Sequence, residues 1–326
     1  MTKSSPRIVF MGSPDFAVGP LQVLLEAGCN VVGVITAPDR PAGRGKKIRH
    51  SAIKEFLLKE QKEISLLQPE KLKDPEFLDE LRALRPDLQV VVAFRMLPEV
   101  VWSIPPMGTF NLHASLLPQY RCAAPINHVL INGEDETGVT TFFIDEQIDT
   151  GRILLQEHIP IAPDETAGEL HDSLMELGAG LVLRTVRQIS EGQIEAKTQD
   201  SFLDSGTSLN KAPKIFKEDC RIDWNLGGKR IFNMIRGLSP YPGVFTFLVK
   251  DEGEQVLCKI FSATFEEKPQ PNTPGSISVD GKKTMEVAVK DGVIRILSIQ
   301  QEGKRKMDIQ AFLAGFSLGN EASRFS

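Results

Sequence analysis

From Phe110 the chain reads Phe-Asn-Leu-His-Ala-Ser-Leu-Leu-Pro, and Ile148-Asp149-Thr150-Gly151 follows further along. These segments hold an amide, an imidazole and a carboxylate, which together can carry an acyl transfer. Side chains alternate along an extended strand, so Asn111 and His113 face the same side, roughly 6.5 Å apart along the backbone. An Asn N–H stabilises the oxyanion that develops when a nucleophile attacks a carbonyl, and a His donates or removes protons near neutral pH. Asp149 would orient the ring and balance its charge. Pro118 ends the strand and opens a loop, the usual place for binding groups carried by a rigid scaffold.

A single His on a strand is more often packed than catalytic. Asn111, the loop Ser115–Pro118 and the later Asp149 set His113 apart from His50, His128, His158 and His171, which read as structural or surface residues. Asp145 and Glu146, at the end of the same strand, rival Asp149. Asp-Thr-Gly also fits an aspartic protease, but that chemistry needs two carboxylates sharing a proton and the string occurs once. A hydrolase triad of Ser115, His113 and Asp149 lacks the Gly-x-Ser-x-Gly elbow. Gly12-Ser13-Pro14-Asp15 lacks the dinucleotide fingerprint, and Gly43-Arg44-Gly45-Lys46-Lys47 lacks the spacing and hydroxyl of a P-loop. Cys29, Cys122, Cys220 and Cys258 are far apart, so neither a disulfide framework nor a zinc site is expected and no metal is assigned.

The elements that must position these groups follow from periodicity. Arg7–Gly12 reads as a buried strand, and Ser13-Pro14-Asp15 as the start of a helix running to Gly28. Strands are expected at Val31–Thr36, Ile64–Leu67, Leu88–Ala93, Gly138–Ile144 and Arg152–Pro160. Helices are expected at Ser51–Glu60, Asp74–Leu84, Ala124–Asn132 and Thr166–Ser190. This alternation predicts an α/β unit with a mostly parallel sheet wrapped by helices, whose ligands bind beyond the carboxyl ends of the strands. From Gly192 to Asp223 the pattern loses periodicity and reads as an interdomain linker whose Lys211, Lys214 and Lys217 are candidates to touch a partner. Short β-rich runs from Val244 to Ile299 then predict a small barrel.

At 326 residues the chain is long enough for two cores. The division expected is 1–191, a linker at 192–223, and 224–326. Hydrophobic content of 41% and charged content of 25% are those of an ordinary globular protein. No apolar run spans a bilayer and no leader is evident, so a cytoplasmic protein is expected. The net charge of −5 is uneven: residues 201–326 carry +3 and residues 1–200 carry −8. Arg40, Arg44, Lys46, Lys47 and Arg49 fall in ten residues without an acid. Pro41, Gly43 and Gly45 are expected to keep this loop out of regular structure, free to shape itself around phosphates.

The string from Asn111 to Pro125, with Glu136-Thr137-Gly138-Val139-Thr140 and Ile148–Gly151, resembles the signature of the tetrahydrofolate-dependent formyltransferases. Met11–Ala17, Ala37–Lys47 and Lys211–Trp224 are similar to the members that act on an aminoacyl-tRNA, and the likeness covers nearly the whole chain. It implies a Rossmann-like N-terminal sheet with helices on both faces, and a smaller C-terminal OB-like β-barrel that binds tRNA. The implied reaction carries a formyl group from 10-formyltetrahydrofolate to the methionine amino group of initiator methionyl-tRNA. Asn111, His113 and Asp149 would be catalytic, and a monomer is implied. Folate would be held by Arg95, Met96, Leu97, Ser115, Leu116, Leu117 and Pro118, with Leu117-Pro118 in the cis form. Arg40, Arg44, Lys46, Lys47, Lys211, Lys214 and Lys217 would meet tRNA. Alternatives are a formyltransferase acting on a sugar nucleotide or ribonucleotide, and an RNA-binding module without activity. Two departures stand out: Cys122 replaces a glycine usual in relatives, and Ala93–Pro98 looks one residue shorter than the common form.

Overall fold

The computed structural model describes residues 5–42, 47–60, 63–203, 206, 208–249, 253–269, 271–281, 283–315 and 324–326. In chain order the first elements are β1 (Ile8–Gly12), α1 (Val18–Glu26), β2 (Val31–Ile35), β3 (Arg40–Ala42), β4 (Lys47–Arg49), α2 (Ala52–Lys59), β5 (Ser65–Leu67), α3 (Pro75–Ala83), β6 (Leu88–Val92), α4 (Glu99–Trp102) and β7 (Thr109–His113). Then come α5 (Pro125–Asn132), β8 (Glu136–Phe143), β9 (Ile153–Pro160), α6 (Ala167–Glu191) and α7 (Gly228–Gly237). The chain closes with β10 (Val244–Val249), β11 (Gln255–Glu267), β12 (Ile277–Asp280), β13 (Thr284–Val289), β14 (Gly292–Gln301), β15 (Met307–Asp308), α8 (Ile309–Gly315) and β16 (Arg324–Phe325). Two compact units result. One takes in Met1–Cys122, Glu136–Ile159 and His171–Lys211; the other Ala123–Asp135, Pro160–Leu170 and Ala212–Ser326.

The first unit is built on a seven-stranded sheet ordered β5-β2-β1-β6-β7-β8-β9. Its strands are parallel from β5 to β7, and β8 runs antiparallel to β7 with His113 opposite Thr140. β1 and β6 are buried along their whole length, as a central parallel sheet covered on both faces requires. Ser51 and Asp74 cap α2 and α3 by accepting backbone N–H bonds, with Pro75 at the first turn of α3. On β7, Leu112 packs against Gly178 of α6, where an added Cβ would stand 2.7 Å from Leu112 Cδ2. Strand alternation then turns Asn111 and His113 to the opposite face.

Two local expectations need correction. The helix after β1 does not start on a Ser or Asp cap: a 3-10 turn, Asp15–Ala17, precedes α1 without a side-chain cap. Ser13 Oγ is instead taken by the Ala37 N–H at 3.1 Å. The basic loop is also not wholly irregular, since Arg40–Ala42 and Lys47–Arg49 pair antiparallel with Arg40 opposite Arg49. Pro41 is tolerated because a two-stranded ribbon has edges that leave its missing N–H without consequence.

The second unit holds an antiparallel sheet ordered β12-β13-β14-β11-β10-β16, with β15 against β14. Register shifts near Ile260, Ser262 and Ala263 bend the long β11, as bulges do in barrel-like sheets. Trp224 stacks on Phe325 with centroids 5.6 Å apart, and its indole N–H donates to Thr246 Oγ1 at 2.9 Å. This curled antiparallel sheet is the barrel-type domain expected, whereas α4, α7 and α8 are elements that strand-seeking periodicity passed over. Asn127 of α5 donates to the Gly237 carbonyl of α7 at 2.7 Å. Among the described residues no helix is long and apolar enough to cross a membrane.

Gly138 allows β8 and β9 to approach closely. A Cβ there would lie 2.0 Å from the Glu157 carbonyl oxygen and 2.6 Å from Leu116 Cδ2. Gly138→Ala is expected to cost about 1–3 kcal/mol, read as a lower urea midpoint at unchanged slope.

Candidate active site

β7 delivers Asn111 and His113, and the loop between β8 and β9 delivers Asp149. His113 is only 6% exposed. Its Nε2 lies 2.9 Å from the Tyr120 carbonyl oxygen. A carbonyl only accepts, so Nε2 carries the hydrogen and Nδ1 is the atom turned to Asp149, 3.8 Å from Oδ2. The edge of Phe142 closes one side of the ring at 6.5 Å. Asn111 is partly exposed, and among the described residues its amide has no hydrogen-bond partner. An oxyanion donor requires such an unoccupied N–H.

Asp149 is held from two directions. Its Oδ2 accepts the Cys122 N–H at 2.9 Å. Its backbone carbonyl accepts from Gln199 Nε2 at 2.8 Å, and the same nitrogen donates to the Gly151 carbonyl at 2.9 Å. Arg121 Nε and Nη2 in turn donate to Gln199 Oε1 at 3.1 and 2.7 Å. The rival Asp145 is engaged elsewhere, accepting from Thr150 Oγ1 and the Gln147 N–H. Tyr120, Cys122 and Asp149 all have positive φ, +59°, +95° and +56°, conformations that non-glycine residues occupy only when their surroundings impose them. Cys122 thus stands in the region of positive φ that favours glycine.

The segment Ser115–Pro118 lies beside this group, and Leu117-Pro118 is cis as expected. Ser115 is fully buried and its hydroxyl donates to the Gln119 carbonyl at 2.7 Å. Leu117 packs with Phe142 and Ile153. Thr140 Oγ1 donates to the Ser115 carbonyl at 2.6 Å and accepts the Leu117 N–H at 3.1 Å, while Gln156 donates to the Leu117 carbonyl at 2.8 Å. After β6, Ala93 turns at φ +45°. The Arg95 guanidinium donates to the Pro69 and Glu70 carbonyls, and partial burial lowers its pKa. Leu97 joins the core beside Val9 and Met11, and Met96 is exposed. A cavity of about 470 Å3 is lined by Trp102, Ile144, Asp145, Glu146, Gln147 and Thr150, most of them on the loop that carries Asp149.

Of the basic residues, Arg40 is exposed on β3 and Lys47 lies in β4; Arg44 and Lys46 lie outside the described residues. The base of this hairpin is fixed by Asp39, whose carboxyl is held well below the usual range by hydrogen bonds from Lys54, Gln68 and His50. Lys54 Nζ reaches it at 2.6 Å and Gln68 Nε2 at 3.0 Å. Lys211, Lys214 and Lys217 are exposed, and Lys214 sits over the Phe216 ring at 5.4 Å.

Residues 6–186 match the family model described as formyl transferase, and residues 214–317 that of the formyl transferase C-terminal domain. The chain belongs to the formyl transferase family. It is 55% identical to the methionyl-tRNA formyltransferase of Bacteroides fragilis over 98% of this chain and 97% of the relative. It is 51% identical to that of Flavobacterium johnsoniae over 97% and 98%. Among solved structures it is similar to WlaRD, a sugar 3N-formyltransferase solved with dTDP and 5-N-formyl-tetrahydrofolate, at TM-score 0.62 and 20% identity over 92% and 99% of the two chains. At that identity the structural likeness speaks for the formyltransferase fold alone.

Several residues of this candidate site are not singled out by the sequence reading. Tyr120 and Arg121 lie inside the signature string, which was a usable signal. Gln199 lies in a stretch that reads as linker and carried none. Cys122→Gly relieves the positive-φ strain at residue 122 and is expected to raise stability by about 1 kcal/mol while keeping the N–H that holds Asp149; comparison of unfolding midpoints checks it.

Proposed function

We propose that this formyltransferase carries the formyl group of 10-formyltetrahydrofolate to the α-amino group of methionine on initiator methionyl-tRNA, working as a cytoplasmic monomer. The observation that carries this reading is the identity of 55% with a methionyl-tRNA formyltransferase across nearly the full length of both chains. The donor supplies a carbonyl carbon bound to a departing nitrogen. The acceptor is an amine with a pKa of about 8 in general, lowered when its carboxyl is esterified, so much of it is neutral and nucleophilic.

In this mechanism Asn111 donates its free N–H to the formyl oxygen as negative charge develops. With Nε2–H committed to Tyr120, His113 exchanges protons through Nδ1 alone. Asp149 faces that atom across 3.8 Å, too long for a direct hydrogen bond and suited to relay through a water or the attacking amine. The carboxylate helps take the amine proton and return one to the leaving nitrogen. The cavity beside Trp102 and the loop Ile144–Thr150 receives the ring system of the folate. Arg95–Leu97 face folate through backbone groups in this reading, because the Arg95 and Leu97 side chains are engaged within the protein, and Ser115–Pro118 borders the folate as a loop whose backbone Thr140 and Gln156 hold in place. Arg40, Arg44, Lys46, Lys47, Lys211, Lys214 and Lys217 meet tRNA phosphates.

The deciding experiment is transfer of isotope-labelled formyl to charged initiator tRNA, run beside free methionine, a sugar nucleotide and a ribonucleotide; label on any acceptor but the tRNA would overturn the reading. Asn111→Ala and His113→Ala are expected to lower turnover several hundredfold with folate binding retained, since one lost oxyanion donor costs about 3 kcal/mol. Asp149→Asn should lose a comparable factor, and full activity would move the role to Asp145 or Glu146. Neutralising Arg40, Arg44, Lys46 and Lys47 together should raise KM for the tRNA and flatten its dependence on salt by a log–log slope of about 0.7–0.9 per lost contact. Unchanged KM and slope would place the RNA contacts elsewhere.

A further inference from the structure

Gln199 is 4% exposed and sits on no strand or α-helix, only in the 3-10 turn Gln199–Phe202. A buried amide side chain needs all of its hydrogen-bonding capacity matched. Here Oε1 takes two N–H groups from Arg121, at 3.1 and 2.7 Å. Nε2 reaches the carbonyls of Asp149 and Gly151 at 2.8 and 2.9 Å. The partners span the Asp-Thr-Gly turn, whose first residue is in the left-handed region at φ +56°. Such a backbone persists only where its surroundings over-determine it.

Arg121 is followed directly by Cys122, whose N–H holds the Asp149 carboxylate at 2.9 Å. One short piece of chain therefore grips Asp149 twice, at the carboxylate through Cys122 and at the main chain through Arg121 and Gln199. We infer that Gln199, with Arg121 behind it, is a positioning residue for formyl transfer, fixing the Asp-Thr-Gly turn so that the Asp149 carboxylate faces Nδ1 of His113. The inference rests on the formyl-transfer reading and adds to it a residue from outside the signature string. Gln199 touches no reacting atom, and its effect passes through Asp149.

The test is a double-variant cycle in the full chain, with labelled formyl transfer to charged initiator tRNA. Gln199→Leu removes both donations and the acceptor. Gln199→Glu keeps the size and the Arg121 contact but sets an oxygen against the two carbonyls. Both are expected to lower kcat about 10- to 100-fold, the scale of a misplacement near 1 Å, with KM for folate and for tRNA within about twofold. On an Asp149→Asn background, measured in single turnover, either substitution should add little further loss. An unchanged kcat in the Asp149-bearing chain would sink the inference, and so would an equal loss on both backgrounds, which is the mark of a structural role. If Gln199→Leu does not fold, Gln199→Glu carries the test. A wild-type protein that formylates no tRNA would count against the functional reading instead, and is seen before any variant is made.

Discussion

The hydrogen bond between His113 Nε2 and the Tyr120 carbonyl fixes the orientation of the imidazole on which the candidate site is built. It commits one ring nitrogen and leaves Nδ1 turned to Asp149. The ring is nearly closed off from solvent, so this commitment is not loosened by competing water. Tyr120, which offers the carbonyl, has its backbone in the left-handed region at φ +59°. The next two residues reach the Asp149 turn, Cys122 by bonding the carboxylate and Arg121 by bonding Gln199.

Backbone strain is concentrated where these contacts are made. Among the described residues five non-glycine positions have positive φ, and four of them, Ala93, Tyr120, Cys122 and Asp149, border the candidate site or the segment after β6. Each costs of order 1 kcal/mol or more. Gln199, backed by Arg121, and the Cys122 N–H hold the Asp149 turn, while Thr140 and Gln156 hold the neighbouring Ser115–Leu117 loop. The sheet supplies the rigid support, since β1 and β6 are buried throughout and leave β7 little freedom to shift.

Much of this was legible in the sequence. The 2-residue alternation of β7 put Asn111 and His113 on one face, and an uninterrupted apolar run marked β1 as a buried strand. The signature string drew attention to Pro118 and Cys122, where the structure has a cis peptide and a left-handed turn. Other features were not legible. Ser13 looks like a helix cap and serves Ala37 instead, because a side-chain oxygen takes whichever N–H folding brings near. The β3–β4 ribbon is too short, and too rich in Pro and charge, to show strand periodicity. α7 escaped notice between a polar stretch and a run of strands. Gln199 is the deepest omission: its meaning lies wholly in partners far away along the chain.

The second unit is not a contiguous stretch of chain. α5, from Ala123–Asp135, belongs with α7, and Asn127 bonds the end of that helix. Ile131 stands where a side chain on Gly237 would intrude. Such interleaving limits how the gene can be rearranged. A crossover placed just before Ala212 would carry away α7 and the curled sheet but leave α5 behind, so a chimaera inheriting its two parts from distant parents must match them at that helix pair. Recombination should therefore favour parents whose Asn127, Ile131 and Gly237 counterparts have drifted together, which ties the evolution of the two parts more closely than their separate cores would suggest.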